Sequence, residues 1–307
     1  MRARPHVGLV GCGGWGRHIL RDLKALGARV TCVARGERSR ANAATGGADA
    51  IVDTLDDLPA VDGAVVATPS DSHGTITLAL ARRGLPVFVE KPLTSDLAQA
   101  RAIVDAAPDR VFVMDKWRYH GGIRRLAAIA GDGSLGAVIG LRSVRLGWSM
   151  THNEVDPVWN LLPHDLSICL HVLGVVPKLI WAAPDPLGPL GGGVVALLGE
   201  TDGPRALVEC SAHHPVNRRS VILACEGGTL TLNASLDDHL VLRRGPPGDA
   251  MAHEERVAIP TGMPLEAELA AFLDHLGGGP PPLSSARDGL ATVERCCEIR
   301  AAAGIPG

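Results

Sequence analysis

The chain has 307 residues, 46% of them hydrophobic and 21% charged, with 30 Lys+Arg against 33 Asp+Glu for a net charge of −3. That is a globular composition, long enough for two domain cores, and it excludes disorder and the basic footprint of a nucleic-acid binder. Aromatics amount to only 3%, which argues against stacking on exposed bases. No apolar run reaches the roughly 20 residues of a membrane helix. The seven cysteines include no CxxC pair, and glycines interrupt the N-terminal apolar stretch from Gly11 onward. A cytoplasmic protein with reduced thiols and no export signal is therefore expected.

In chain order, the apolar run at 6–10 predicts a buried strand, and 17–26 a helix closed by Gly27. Strands are then expected at 29–33, 63–67, 86–89 and 111–114, with helices over 75–83, stopped at Gly84, and 96–106. Strands alternating with helices of about 10 residues predict right-handed βαβ units on a parallel sheet. The rhythm changes after about Lys116. Strands at 138–148, 193–198, 206–211, 221–225, 229–232 and 240–243 follow one another across short Gly, Pro or Asp turns. This predicts a mostly antiparallel open sheet. A helix over 163–173, capped by Gly174, interrupts it. Helices over 265–276 and 285–302, parted by the Pro/Gly tract 277–282, close the chain. The expected fold is α/β followed by α+β, with domains over 1–117 and 118–307.

Gly11-Cys12-Gly13-Gly14-Trp15-Gly16 matches G-x-G-x-x-G, directly after a predicted strand and opening a predicted helix. In that setting Gly11 makes the turn, Gly13 admits a pyrophosphate and Gly16 lets helix and strand pack closely. The helix N-terminus then offers free N–H groups to the phosphates. The first domain is thus expected to be a Rossmann dinucleotide-binding domain, with Gly14 and Trp15 also at the phosphate turn. A P-loop is excluded, because Arg17-His18 stands where Lys and Ser/Thr are needed. An acid about 20 residues past the glycines holds the ribose hydroxyls of NAD. Ala34-Arg35 stands there instead, so NADP is expected in preference to NAD, with Arg35 on the 2′-phosphate.

Three further motifs are Ala67-Thr68-Pro69-Ser70-Asp71-Ser72-His73, Glu90-Lys91-Pro92 directly after the strand at 86–89, and Asn160-x-x-x-His164. With the glycine fingerprint, they make the chain resemble the glucose–fructose oxidoreductase/inositol dehydrogenase (Gfo/Idh/MocA) family over essentially its whole length. The resemblance implies a nicotinamide-dependent oxidoreductase acting on sugars, cyclitols, nucleotide sugars or related compounds. It also implies a C-terminal domain that binds substrate and assembles a homodimer or homotetramer. Thr68, Ser70, His73, Glu90 and Lys91 are then expected to border the cofactor.

Oxidising a secondary alcohol requires a proton to leave oxygen as hydride leaves carbon. Lys91 stands at the carboxyl end of a parallel strand, where such sheets gather ligands, and Pro92 biases its backbone toward an extended form. Its ammonium can bond a substrate oxygen, and can transfer a proton if burial lowers its pKa. His164 is the second acid/base or substrate-binding candidate. Asn160, four residues earlier, shares its helix face if the helix begins that early. The family commonly has Asp at that place; Asn positions a hydroxyl but is no base at neutral pH. Asp165 either orients a histidine or is a first-turn helix acid. Arg118, at the domain junction, is a candidate for an anionic substrate group. No metal site is expected. The rival functions are reduction of an imine or conjugated carbonyl, and a cofactor-binding sensor or accessory protein without turnover.

Overall fold

The computed structural model describes residues 4–148, 155–245 and 253–306. Its first elements are β1 (His6–Val10), α1 (Gly16–Ala25), β2 (Arg29–Val33), α2 (Glu37–Thr45), β3 (Ala50–Val52) and β4 (Gly63–Val66). They continue with α3 (His73–Arg82), β5 (Val87–Glu90), α4 (Leu97–Ala106) and β6 (Val111–Met114). The six strands form one parallel sheet in the order β3-β2-β1-β4-β5-β6. This is the doubly wound order whose direction switches between β1 and β4, and such sheets bind ligands beyond the strands' carboxyl ends at that switch. Val7 and Leu9 of β1, Val30 and Cys32 of β2 and Val65 of β4 are fully buried, as strands covered by helices on both faces must be.

The middle of the chain carries α5 (Gly121–Asp132), β7 (Val138–Leu146), α6 (Pro157–Leu173), β8 (Leu179–Pro184), β9 (Gly193–Leu198) and β10 (Arg205–Ser211). β11 (Arg218–Cys225), β12 (Gly228–Leu232), β13 (His239–Arg244) and β14 (Glu254–Ala258) follow. The eight strands make one sheet, β14-β13-β12-β11-β7-β10-β9-β8, antiparallel at every step except the parallel pair β7 and β10. Along β12 burial alternates residue by residue, the signature of a sheet with one covered face. α6 packs on β7, β9 and β10.

The last helices are α7 (Pro264–Leu276) and α8 (Ala286–Ala302). Two compact units result: Met1–Lys116 with Met263–Val293, and Trp117–Gly262 with Glu294–Gly307. Met263–Val293 therefore joins the parallel-sheet unit, although the break in strand rhythm near Lys116 had placed it in the second domain. The cause is α7's apolar stripe. Leu265, Leu269, Phe272 and Leu273 enter the same buried cluster as Leu9, Leu23 and Phe88, and the rings of Phe272 and Phe88 stack at 5.1 Å. Each such buried side chain contributes about 1.5–3 kcal/mol, which outweighs proximity in sequence. Among the described residues no helix is long and apolar enough to cross a membrane.

α6 also begins six residues before the expected 163 (163 − 157 = 6). Asp156 caps it by accepting from the Trp159 N–H at 3.1 Å, and Pro157 occupies its first turn. Pro163, where the helix was expected to begin, sits inside it. There it lacks the N–H that would bond the carbonyl four residues back.

Candidate active site

In the parallel-sheet unit the glycine turn joins β1 to α1. Gly11 has φ +93°, and a Cβ there would lie 2.7 Å from the Ala67 carbonyl oxygen. A Cβ on Gly16 would strike the Gly11 carbonyl, so both glycines are required by the fold itself. Gly13 and Gly14 differ: a Cβ on either meets nothing within 4 Å. The backbone there faces open space, as a turn must if a pyrophosphate is to approach it. The loop is held from outside the motif. The Asn42 side-chain amide donates to the carbonyls of Cys12 at 2.9 Å and Gly13 at 3.2 Å, and the Cys12 N–H donates to Ser39 Oγ at 3.1 Å. Ser39 and Asn42 lie on α2, an element for which the chain gave little periodic signal, and their role was not foreseen.

Glu90 ends β5, next to Lys91. It is 8% exposed and accepts from the indole N–H of Trp15 and, at 3.1 Å, from the Lys91 N–H. The Lys116 ammonium lies 4.6 Å from the centroid of the Trp15 ring. The glycine turn and the Glu-Lys-Pro strand end are thereby fastened together by one carboxylate, which no local sequence pattern announces. Thr68 and Ser70 lie beyond the carboxyl end of β4, where the Ser72 hydroxyl donates to Thr68 Oγ1 at 2.8 Å. His73 is 1% exposed. Its Nδ1 lies 2.8 Å from the Pro92 carbonyl and its Nε2 2.9 Å from that of Thr68. It braces the two loops from inside the unit. Burial holds its pKa below the ordinary value, against the opposing pull of both carbonyls.

Arg35 follows the buried Ala34 at the end of β2 and is exposed, its Nε donating to the Asp53 carbonyl at 3.3 Å. No acid stands at that strand end.

In the second unit Asn160 and His164 both lie on α6, four residues apart and partly exposed; the earlier helix start puts them on one face. The next residue, Asp165, is fully buried and faces the sheet. It accepts from Ser143 Oγ at 2.6 Å, and from Arg145 Nε at 3.1 Å and Nη2 at 3.3 Å. Arg145, 4% exposed, also lies 4.7 Å from the Trp117 ring centroid. Asp165 therefore fixes the rotation of α6 on β7, and with it the direction of the neighbouring His164. Arg118 Nε donates to His171 Nδ1 at 3.5 Å. Burial first, then Arg118 and Arg124, lowers the His171 pKa to about 4, so the ring is the neutral acceptor of that bond.

The family model GFO_IDH_MocA, an oxidoreductase family with an NAD-binding Rossmann fold, matches residues 6–113. Inositol 2-dehydrogenase of Streptomyces avermitilis is 36% identical over 107 residues, 33% of this chain and 31% of that protein. The chain thus matches about a third of that relative's length. D-apiose dehydrogenase of Paraburkholderia graminis is 28% identical over 319 residues, 93% of this chain and 84% of that protein. Among solved structures, levoglucosan dehydrogenase in complex with NADH and levoglucosan has a TM-score of 0.85 at 17% identity, covering 99% of this chain and 100% of that one. An oxidoreductase from Agrobacterium radiobacter in complex with NAD+, L-tartaric acid and magnesium has a TM-score of 0.86 at 17% identity, covering 98% and 97%. Both have the fold of this chain.

Proposed function

Since the chain belongs to the Gfo/Idh/MocA oxidoreductase family, we propose that it moves hydride between a nicotinamide cofactor and a hydroxyl or carbonyl carbon of a sugar, cyclitol or nucleotide sugar. The observation that carries this reading is the open backbone at Gly13, tied through Trp15 and Glu90 to Lys91 at the carboxyl ends of one parallel sheet. When bound, the nicotinamide supplies the two-electron hydride donor or acceptor. Gly11, Gly13, Gly14, Trp15 and Gly16 hold the pyrophosphate, with Thr68, Ser70, His73 and Glu90 shaping the adjoining loops. Lys91 Nζ bonds the reacting oxygen and passes its proton. His164 is the second proton-transfer group. The Asn160 amide bonds a substrate hydroxyl, since it takes up no proton at neutral pH. Arg118 remains the candidate for an anionic substrate group.

We also infer a preference for NADP over NAD, resting on Ala34-Arg35 in place of a ribose-binding acid. A cytoplasmic homodimer or homotetramer fits the eight-stranded sheet, whose strands expose Ile139, Ile180 and Trp181. The test is Lys91→Met on a substrate found by screening sugars, cyclitols, nucleotide sugars and imines. Cofactor affinity is expected to stay nearly constant while turnover falls about 10²–10⁴-fold, the range of general acid–base catalysis. Full turnover in the variant refutes the lysine assignment. Tight cofactor binding with no turnover across the screen favours the sensor reading, for which the amide at Asn160 is the supporting feature.

A further inference from the structure

Glu268 lies on α7, outside every motif of the chain and outside residues 6–113. It is 0% exposed, and neither carboxyl oxygen has a hydrogen-bond partner. A buried carboxylate without donors is very costly, and such a group neutralises instead. Its surroundings reinforce this. Phe272, one turn further along α7, stacks on Phe88 of β5, two residues before Glu90, and the charges that act on Glu268 are those of Glu90 and, just beyond β6, Asp115 and Lys116. On α1, which also packs against α7, Arg21 pairs with Asp22. Burial first, then Glu90 and Asp115, raises the Glu268 pKa well above the carboxylate range, with Lys116 opposing.

Glu90 is the carboxylate that holds Trp15 and the Lys91 backbone, so a second negative charge beside it acts directly on the cofactor corner. We propose that Glu268 is a positioning residue for Glu90: as an uncharged acid it keeps that carboxylate on Trp15 and Lys91, and once ionised it loosens both. This rests on the cofactor reading above, but concerns a residue that reading does not use.

The test is a fluorescence titration of the whole protein with NADPH and with NADH from pH 6 to pH 10. It compares the parent, Glu268→Gln and Glu268→Met, each also carrying Glu90→Gln. Glutamine mimics the neutral acid in shape, and methionine removes the polar atoms at similar length. At pH 7 both single variants are expected to bind within about twofold of the parent. Toward alkaline pH the parent should weaken by about tenfold or more, the scale of one added neighbouring charge at an effective dielectric near 20, while both variants stay flat. In the Glu90→Gln background the three profiles should coincide. Superimposed parent and variant profiles with Glu90 intact overturn the proposal, as does an undiminished difference after Glu90→Gln. Failure of both variants to fold overturns it too, because Glu268 would then be a structural requirement. If the parent binds neither cofactor at any pH, the cofactor reading falls and takes this proposal with it; binding with superimposed profiles removes this proposal alone.

Discussion

Replacing Asp165 by alanine removes the carboxylate that pairs with Arg145, a residue 4% exposed in the covered face of the eight-stranded sheet. Three hydrogen bonds disappear at once, those from Ser143 Oγ, Arg145 Nε and Arg145 Nη2. The guanidinium keeps its place over Trp117 but is left beside Arg219, whose pKa is lowered by burial and by Arg145 and supported by Asp165. Breaking one side of a buried ion pair costs about 3–5 kcal/mol, because the surviving charge cannot reach water. With a urea m-value of about 2–3 kcal/mol/M, the unfolding midpoint should fall by about 1–2.5 M. Arg145→Met combined with Asp165→Leu removes both charges and should recover most of that loss. The assay is urea unfolding followed by circular dichroism, with the m-value checked for constancy. A midpoint change below about 0.3 M for Asp165→Ala refutes the clamp. A double variant no more stable than the single one shows that packing, rather than the uncompensated charge, sets the cost.

Two further outcomes concern the cofactor turn. At Gly13 an added Cβ meets nothing within 4 Å, so the melting temperature of Gly13→Val should match the parent's while the rise caused by NADPH or NADH, a mass-action effect, disappears. Gly16→Ala runs into the Gly11 carbonyl and should instead cost about 1–3 kcal/mol of stability; the reverse pattern in differential scanning fluorimetry refutes the division of labour between these glycines. Arg35→Ala should narrow the affinity gap between NADP and NAD by tenfold or more, since a charge-assisted contact contributes about 1.5–3 kcal/mol. Tighter NAD than NADP binding by the unmodified protein in calorimetric titrations reverses the preference.

The parallel-sheet unit was largely legible because its signals are local. Buried strands are short apolar runs, the glycine turn is contiguous, and Glu90-Lys91-Pro92 sits at a strand end. α2 and the short β3 were not read. α2 is polar, with Ala43 its only buried residue, so it carries no apolar stripe to detect. β3 has three residues, all partly exposed. The shared face of Asn160 and His164 depended on an early helix start, because the helix was expected from 163 whereas Asp156 and Pro157 start it. What no local pattern gave is the set of long-range polar ties: Trp15 to Glu90, 75 residues apart, and Arg145 to Asp165, 20 apart. A hydrogen bond between distant residues leaves no periodicity. The same holds for α7, whose stripe identifies a buried helix but not which sheet it covers.

Three of the buried acids, Glu90, Asp165 and Glu268, meet the same physical problem in different ways, and the difference indicates what each does. Glu90 accepts from two neutral donors, an indole and a backbone N–H, and its work is to orient both. Asp165 has a guanidinium and a hydroxyl, so its charge is matched and its work is to fix α6 on the sheet. Glu268 has neither, and only the uncharged form is compatible with full burial. An amide is therefore a faithful substitute at Glu268 alone. At Glu90 it places an NH2 group where two donors need acceptors, and at Asp165 it strands a buried arginine. The chemistry of a buried carboxyl follows from its donors, which is why the acid with no donors, rather than the two with several, is the one whose protonation can regulate its neighbours.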